Sequence, residues 1–259
     1  MLVHEWQIHL AAPPGQPVSF SPTPAGVHAV VSRWLHSTED DRGGEPHHAE
    51  HHYSVEWWRT SHDQLCIALA LMDEHLVATL LRRVRPGLTV GFGRAAALVT
   101  EVSETRLTDL AGLRGQTATR WRLSFPAGVT FKRGDTFMPW PSPEAVLGSI
   151  HRRLTAICGW QADKADIRDA MRSISPIQAN LTTHRWKEGT SGRPRDVALA
   201  VGDVEWLTAT SCPGTQQLVD LLLQAGELLG VGAKTAWGAG VLETERLGPC
   251  TPSNRVVPR

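Results

Sequence analysis

The sequence predicts an α+β fold of two tandem domains, each with the element order βαββαβ. Three observations predict it. The 259 residues include 41% hydrophobic and 20% charged residues, which is typical of globular chains, and the length suits two domains of ordinary size. In the first half, strand-like apolar runs alternate with helical stripes. The second half repeats this order of elements without evident identity of sequence.

The first half opens with a strand, a helix and a hairpin. Residues 2–10 read as a strand, and a helix is predicted with Thr23 as its N-cap and Pro24 at its first position. Its apolar residues recur at the spacing of a helix packed on a sheet: Val27, Val30, Val31, Trp34 and Leu35. The strand-like runs YSVEWWR and QLCIALALM, joined by the polar connection Thr60–Asp63, predict a hairpin.

A second helix and a closing strand complete this half. The segment DEHLVATLLRRV is typical of a helix and ends at Pro86-Gly87, and TVGFGRAAALVTEVS predicts a strand or a strand pair. The resulting order is that of a ferredoxin-like (RRM-like) domain, with helices on one sheet face and the other face free.

The second half follows the same plan. TRWRLSFPA predicts a strand, and a helix capped at Ser142 runs to about Cys158. IQANLTTHRWKEG and RDVALAVGDVEWLTA predict paired strands, QQLVDLLLQAGELLG predicts a helix ended by Gly230, and TAWGAGVLETE predicts a last strand. The predicted division is a first domain over residues 1–115, a second over 116–246 and a flexible tail over 247–259.

Composition limits the classes of function. No apolar run reaches the roughly 18 residues of a membrane span, and the amino-terminal residues lack the basic start of a signal peptide, so we expect a cytoplasmic protein. The four cysteines lie far apart without a C-x-x-C pair, which favours neither a disulfide framework nor a zinc knuckle. The formal net charge is +0, so any nucleic-acid-binding surface must be local.

A glycine-rich segment, LLGVGAKTAWGAGVLE, follows the last predicted helix. Glycines let successive backbone N–H groups face a phosphate, and a lysine adds charge. The Walker A and dinucleotide-binding patterns are absent. Phosphate binding and a plain turn into a strand both fit this spacing.

Two motifs resemble a known family. GVGAKTAWGAG resembles the carboxy-terminal glycine-rich signature of the CRISPR repeat-processing endoribonucleases, the sixth Cas family of the RAMP superfamily. LSFPAGVTFKRGDTFMPWPSPEAVLGSIHRRL is similar to the opening of that family's second domain. The resemblance implies metal-independent cleavage of CRISPR repeat RNA, in which the 2′-hydroxyl attacks the adjacent phosphate. It implies no cofactor and no membrane, and it adds other Cas proteins of an effector complex as expected partners.

The resemblance also implies catalytic histidines. The family's catalytic histidine lies in the loop after the first helix, here STEDDRGGEPHHAEHH. His47 fits best by its distance from Tyr53 and His48 is nearly as good, while His51 and His52 stay open. Some members carry a second catalytic side chain on the first helix, where this sequence has His28, at the border of the apolar stripe. A histidine suits proton transfer because its ordinary pKa is about 6.5, although His28 also fits a locally hydrogen-bonded border residue.

The expected RNA-binding residues fall into four groups. They are the loop residues Gly230, Gly232, Lys234, Thr235, Gly238 and Gly240, the turn residues Lys132 and Arg133, the helix residues Arg152 and Arg153, and the hairpin residues Arg185, Lys187, Arg193 and Arg195. Each basic group also fits an ordinary solvated face. Six tryptophans fit either base stacking or a core: Trp57, Trp58, Trp121, Trp140, Trp186 and Trp237.

Three functions remain open from the sequence. The first is an endoribonuclease, and the second is a non-cleaving RNA-binding subunit of an effector complex. The third is a metal-dependent hydrolase centred on the histidine loop, although no nearby cysteine or H-E-x-x-H helix completes such a site and we expect no metal.

Overall fold

The first half of the chain forms a five-stranded antiparallel sheet. The computed structural model describes residues 1–13, 22–36, 52–61, 63–92, 95–188 and 195–248. The strands are β1 (Leu2–Ala11), β2 (Tyr53–Ser61), β3 (Gln64–Leu71), β4 (Thr89–Phe92) and β5 (Ala95–Asp109). They lie in the order β2-β3-β1-β5-β4, so the first strand occupies the centre of the sheet. The predicted hairpin is confirmed as β2 and β3.

Two helices pack on this sheet, α1 (Pro24–Leu35) and α2 (Glu74–Arg83). Helix α1 begins where predicted, because the Thr23 hydroxyl accepts a hydrogen bond from the Gly26 amide at 3.1 Å. The carboxylate of Asp73 caps α2 by accepting from the His75 amide at 2.8 Å. The predicted apolar stripe of α1 is buried in the core of this domain.

The second half forms a four-stranded sheet with helices. Its elements are β6 (Arg120–Val129), β7 (Phe131–Arg133), β8 (Thr136–Met138), α3 (Pro143–Cys158), α4 (Lys164–Ser173), β9 (Ile174–Glu188), β10 (Arg195–Thr208), α5 (Pro213–Leu229) and β11 (Glu243–Arg246). The sheet order is β11-β6-β10-β9, and β7 and β8 form a small separate hairpin. The chain is therefore an α+β protein with two tandem ferredoxin-like units, as predicted.

Helix α4 and the last predicted strand differ from the expectation, as do the short strands β7 and β8. The sequence pattern does not predict α4, because only Ile167 and Ala170 of this short helix are buried. The prediction of a strand over TAWGAGVLETE is wrong for most of its length. Residues 235–237 form a 3-10 turn instead, and Gly238 and Gly240 adopt φ values of +90° and +77°, which a strand does not allow. Only β11 at its end is extended.

Each of the two hydrophobic cores includes residues from the other half of the chain. Ala236, from the second half, is 1% exposed and packs in the first core, whereas Val3 and Met72, from the first half, pack in the second. The domains are thus joined by burial as well as by the connection between β5 and β6. Within the described ranges, no helix combines the length and the apolar character needed to cross a membrane.

Candidate functional site

His28 of α1 lies where the first domain meets the glycine-rich segment of the second. Its side chain is half-buried at the edge of the apolar stripe. The Nδ1 atom lies 2.9 Å from the backbone carbonyl oxygen of Ala236, a residue 208 positions away. Because a carbonyl oxygen only accepts hydrogen bonds, Nδ1 carries the proton in this contact. Nε2 is then the basic nitrogen of the neutral ring.

Trp237 stacks on the same histidine. The two ring centroids are 4.5 Å apart and the ring planes differ by 15°. Such a parallel contact fixes the orientation of the imidazole plane. His28 is therefore held by two consecutive residues of the other domain, through a hydrogen bond and a ring contact.

Lys234 precedes the 3-10 turn and adopts a left-handed conformation with φ +67°, alone in this respect among the non-glycine residues that the structure describes. Its ammonium lies 4.9 Å from the ring centroid of Trp237 and 5.6 Å from that of Phe137 on β8. These distances are those of cation–π contacts. The lysine predicted for RNA binding thus links the glycine-rich segment to the β7–β8 hairpin.

The four predicted glycines all adopt positive φ and contact protein backbone or side chains. A Cβ on Gly232 would lie 2.3 Å from the Thr130 carbonyl oxygen, and one on Gly240 would lie 2.0 Å from that of Val231. Eight amides of this segment donate to protein oxygens rather than facing outward: those of Gly230, Val231, Gly232, Ala233, Trp237, Gly238, Ala239 and Gly240. Close approach to the protein itself therefore explains these glycines, and the expected row of phosphate-facing amides is not formed by these eight groups.

Two side chains of helix α3 form hydrogen bonds to the glycine-rich segment. The Ser149 hydroxyl accepts from the Gly232 amide at 2.8 Å, and the Arg153 guanidinium donates to the Thr235 hydroxyl at 3.1 Å. Arg153 is 3% exposed and Thr235 is 4% exposed. Both were expected to touch RNA, and the structure places them in the support of the segment. Ser149 was not predicted, since a serine inside a helix gives no sequence signal.

The other basic candidates are spread over the second domain. Lys132 and Arg133 lie exposed on β7, and Arg152 is exposed on α3. Arg185 is exposed on β9, 3.8 Å from the carboxylate of Asp196. Arg193 lies outside the described residues, as do the side chains of Lys187 and Arg195. Burial lowers the pKa of His151, beside Arg152, and the arginine charge lowers it further.

Of the four histidines of the loop, the structure describes only His52. His47, His48 and His51 lie outside the described residues, and His52 is exposed immediately before β2. The carbonyl of His52 accepts from the Met72 amide at 2.9 Å, which anchors one end of the loop. At the other end, the His36 ring lies 5.8 Å from the ring of Tyr53. In the part of the chain that the structure describes, no group of three or more histidine, cysteine, aspartate or glutamate side chains forms a metal site.

The candidate stacking tryptophans differ in exposure. Trp121 is fully buried, whereas Trp58 and Trp140 are 37% and 49% exposed. Trp57 lies against Gly238, on which a Cβ would lie 2.6 Å from the indole nitrogen. Trp186 is half-buried on β9. Because Trp121 is fully buried, it belongs to the core and cannot stack on RNA bases. Trp57 contacts the second domain through Gly238.

An acidic cleft of about 170 Å³ lies beside Gly230, Ala239 and Gly240 of the glycine-rich segment. Residues on the face of the first sheet that we expected to be free line it together with Glu227 and Gly240 of the second domain. Burial raises the pKa of Glu5, although Arg106 opposes this, and burial together with the charge of Glu243 raises the pKa of Glu56. Negative charge in this cleft disfavours phosphate binding there.

Residues 123–242 match the model of the family described as CRISPR-associated endoribonuclease Cas6. The matched range includes most of β6, the β7–β8 hairpin, α3 and residues 228–242 of the glycine-rich segment. No curated protein matches the chain in sequence.

Solved structures share the fold over almost the whole chain. A Cas6 product complex superposes with a TM-score of 0.73 at 22% identity, covering 95% of this chain and 100% of that one. Thermus thermophilus Cas6 gives a TM-score of 0.72 at 16% identity, over 94% and 98% of the two chains. An RAMP protein binding different RNA substrates gives 0.56 at 12% identity, over 94% and 100%.

Proposed function

We propose that this chain binds CRISPR repeat RNA and cuts the precursor transcript into guide RNAs, because residues 123–242 match the model of the Cas6 endoribonuclease family. One observation carries the proposal. The family-matched range presents its glycine-rich segment to a histidine of the first domain, with the Ala236 carbonyl 2.9 Å from Nδ1 of His28. A histidine beside a family signature is a candidate for proton transfer.

The proposed reaction is an internal transfer on the RNA. The 2′-oxygen of the nucleotide before the cut forms a bond to the adjacent phosphorus as its proton leaves. The bond from phosphorus to the 5′-oxygen breaks, and that oxygen takes up a proton. The products are a 2′,3′-cyclic phosphate and a 5′-hydroxyl, so no water is consumed.

Histidines supply the two proton transfers in this scheme. His47 acts as general acid or base, with His48 as the nearest alternative, and His28 assists. Lys234 and the exposed residues Lys132 and Arg133 hold the RNA backbone near the site through their charge. These roles follow the family resemblance.

The first test is cleavage in the presence of EDTA. Purified protein is incubated with RNA of the CRISPR repeat encoded beside its gene, and with the same RNA carrying one 2′-deoxy nucleotide before the cut. We expect one specific cut in the natural RNA and none in the deoxy RNA. Loss of cutting in EDTA would instead support the metal-dependent hydrolase.

Histidine variants assign the roles. We expect His47→Ala to abolish cleavage and His28→Ala to slow it, with the affinity for the deoxy RNA kept in both. His75→Ala is the matched control, because this exposed histidine lies on α2 outside the loop and the site. Abolition by His48→Ala with His47→Ala active would exchange the two assignments. Tight binding without any cut by the unaltered protein would identify a subunit that only holds RNA.

A further inference from the structure

Two groups of the second domain hold the His28 ring, and the proposed reaction gives neither of them a role. They are the carbonyl of Ala236 and the indole of Trp237. We propose that they are positioning groups for His28, which fix its ring plane and set the tautomer with the proton on Nδ1 and the lone pair on Nε2. This inference rests on the proposed role of His28 in cleavage.

The tautomer follows from the acceptor. In water, a neutral histidine exchanges its proton between the two ring nitrogens, and only one arrangement presents a given nitrogen as a base. The Ala236 carbonyl oxygen, 2.9 Å from Nδ1, can only accept a hydrogen bond. It therefore favours the form in which Nε2 is basic, whichever proton transfer that nitrogen performs.

The ring plane follows from the stack. Trp237 lies parallel to the imidazole within 15°, and a hydrogen bond alone would leave the ring free to tilt about the bond axis. The indole in turn is held by neighbours on both sides in sequence. Lys234 lies 4.9 Å from its centroid, and the amide of Gly238 donates to the Thr235 carbonyl.

The position of the turn is set from two directions. Arg153 donates to the Thr235 hydroxyl at 3.1 Å from the second domain, and Trp57 of the first domain packs on Gly238. Ala236 itself lies in the first core, 1% exposed. The turn is thus fixed at Thr235, Ala236 and Gly238, and this fixes the two groups that contact the His28 ring.

A double-mutant cycle tests this inference on the single-turnover cleavage rate. We expect Trp237→Leu to slow cleavage roughly 10- to 100-fold, the range for a misplaced reacting group. Trp237→Phe, which keeps an aromatic face, should restore most of the rate. In the His28→Ala background, Trp237→Leu should cost nothing further. An equal loss in both backgrounds would show a merely structural role and would overturn the inference.

Trp160→Leu is the matched control for this cycle. It removes the edge-on contact of Trp160 with His151, in which the centroids are 5.9 Å apart, and so alters a histidine–tryptophan pair outside the site. We expect its cleavage rate to equal that of the unaltered protein. A loss as large as that of Trp237→Leu would mean that any such substitution acts through stability.

An NMR measurement separates this inference from the cleavage mechanism. In protein labelled with ¹⁵N-histidine, and assigned by loss of one signal in His28→Ala, we expect His28 to show the Nδ1–H tautomer, and Trp237→Leu to mix it with the other form. The opposite tautomer in the unaltered protein would overturn the inference even if His28 acts in cleavage. The expected tautomer with full activity of His28→Ala would instead refute the proposed role of His28.

Discussion

Gly238 lies against the indole of Trp57, across the boundary between the domains. Its φ is +90°, and a Cβ at this position would lie 2.6 Å from the indole nitrogen. Two separate requirements therefore select glycine here, one from the backbone and one from the neighbouring ring. Gly87 has nearly the same φ, +91°, but nothing lies within 4 Å of its Cβ position.

A comparison of Gly87 with Gly238 separates the cost of the backbone conformation from the cost of the contact with Trp57. We expect Gly87→Ala to lower the free energy of unfolding by about 1–2 kcal/mol, the cost of left-handed backbone. Gly238→Ala should lower it by about 1–3 kcal/mol more, because the indole must move. Urea unfolding measures both. Equal losses in the two variants would show that the Trp57 contact adds nothing.

At single residues, the sequence predicts the place of His28 but not its partners. The helical stripe puts His28 at the border of the buried face, where the structure has it. The Ala236 carbonyl lies 208 positions away, and a backbone oxygen has no sequence signal. The glycine spacing indicates close backbone approach, which occurs, although the approaching groups are those of Thr130, Val231 and Trp57.

Among the elements, the β7–β8 hairpin joins the exposed charges of Lys132 and Arg133 to the candidate site. Phe137 on β8 faces the Lys234 ammonium at 5.6 Å. The basic turn was visible in the sequence, whereas this contact and the three-residue strands were not, because such short strands carry no period. Helix α4 was not predicted for a similar reason, since its two buried residues are too few to form an apolar stripe.

Removing the hairpin charges should weaken binding in a salt-dependent way. For Lys132→Ala/Arg133→Ala, we expect the slope of log affinity against log salt to fall in magnitude by about 1.4, or two phosphate contacts on single-stranded RNA. The affinity for the deoxy RNA over a series of KCl concentrations measures this slope. Lys164→Ala/Arg168→Ala removes two exposed charges from α4 and should leave the slope unchanged. An unchanged slope in the hairpin variant would place these residues outside the RNA interface.

Across the whole molecule, a formal net charge of +0 conceals a basic group and an acidic cleft at different residues of the glycine-rich segment. Lys234 contacts the β7–β8 hairpin, which carries Lys132 and Arg133, whereas Gly230, Ala239 and Gly240 line the acidic cleft. Composition alone cannot show this separation, because it depends on which strands share a sheet face. We therefore expect RNA to bind beside the basic group.

The cleft makes stability depend on pH. Burial and Glu243 raise the pKa of Glu56 above 4.5 in the folded protein. The folded state therefore binds a proton more tightly than the unfolded state, and stability falls as pH rises from about 4.5 through the folded pKa. We expect Glu56→Gln to melt at a higher temperature than the unaltered protein at pH 7, with a smaller difference at pH 4. A lower melting temperature at pH 7 would contradict this.

The contribution of Glu205 to stability has the opposite pH dependence, so this residue serves as the control. Arg120 and Arg122 donate to its carboxylate and lower its pKa below 4.5. Its contribution to stability is present above pH 4.5 and is lost as pH falls through the folded pKa. Glu205→Gln should therefore melt at a lower temperature at pH 7, and this deficit should shrink in acid.

The burial of Ala236 in the first core also bears on synthesis at the ribosome. The strands and helices of the first domain are complete in sequence by Asp109, yet one of its core residues is translated more than a hundred codons later. At about 5–20 residues per second, the nascent domain waits roughly 6–25 s for that residue. During this interval the surface of the first domain beside α1 is uncovered. The turn at residues 235–237, which is translated late, therefore completes the domain that is translated first.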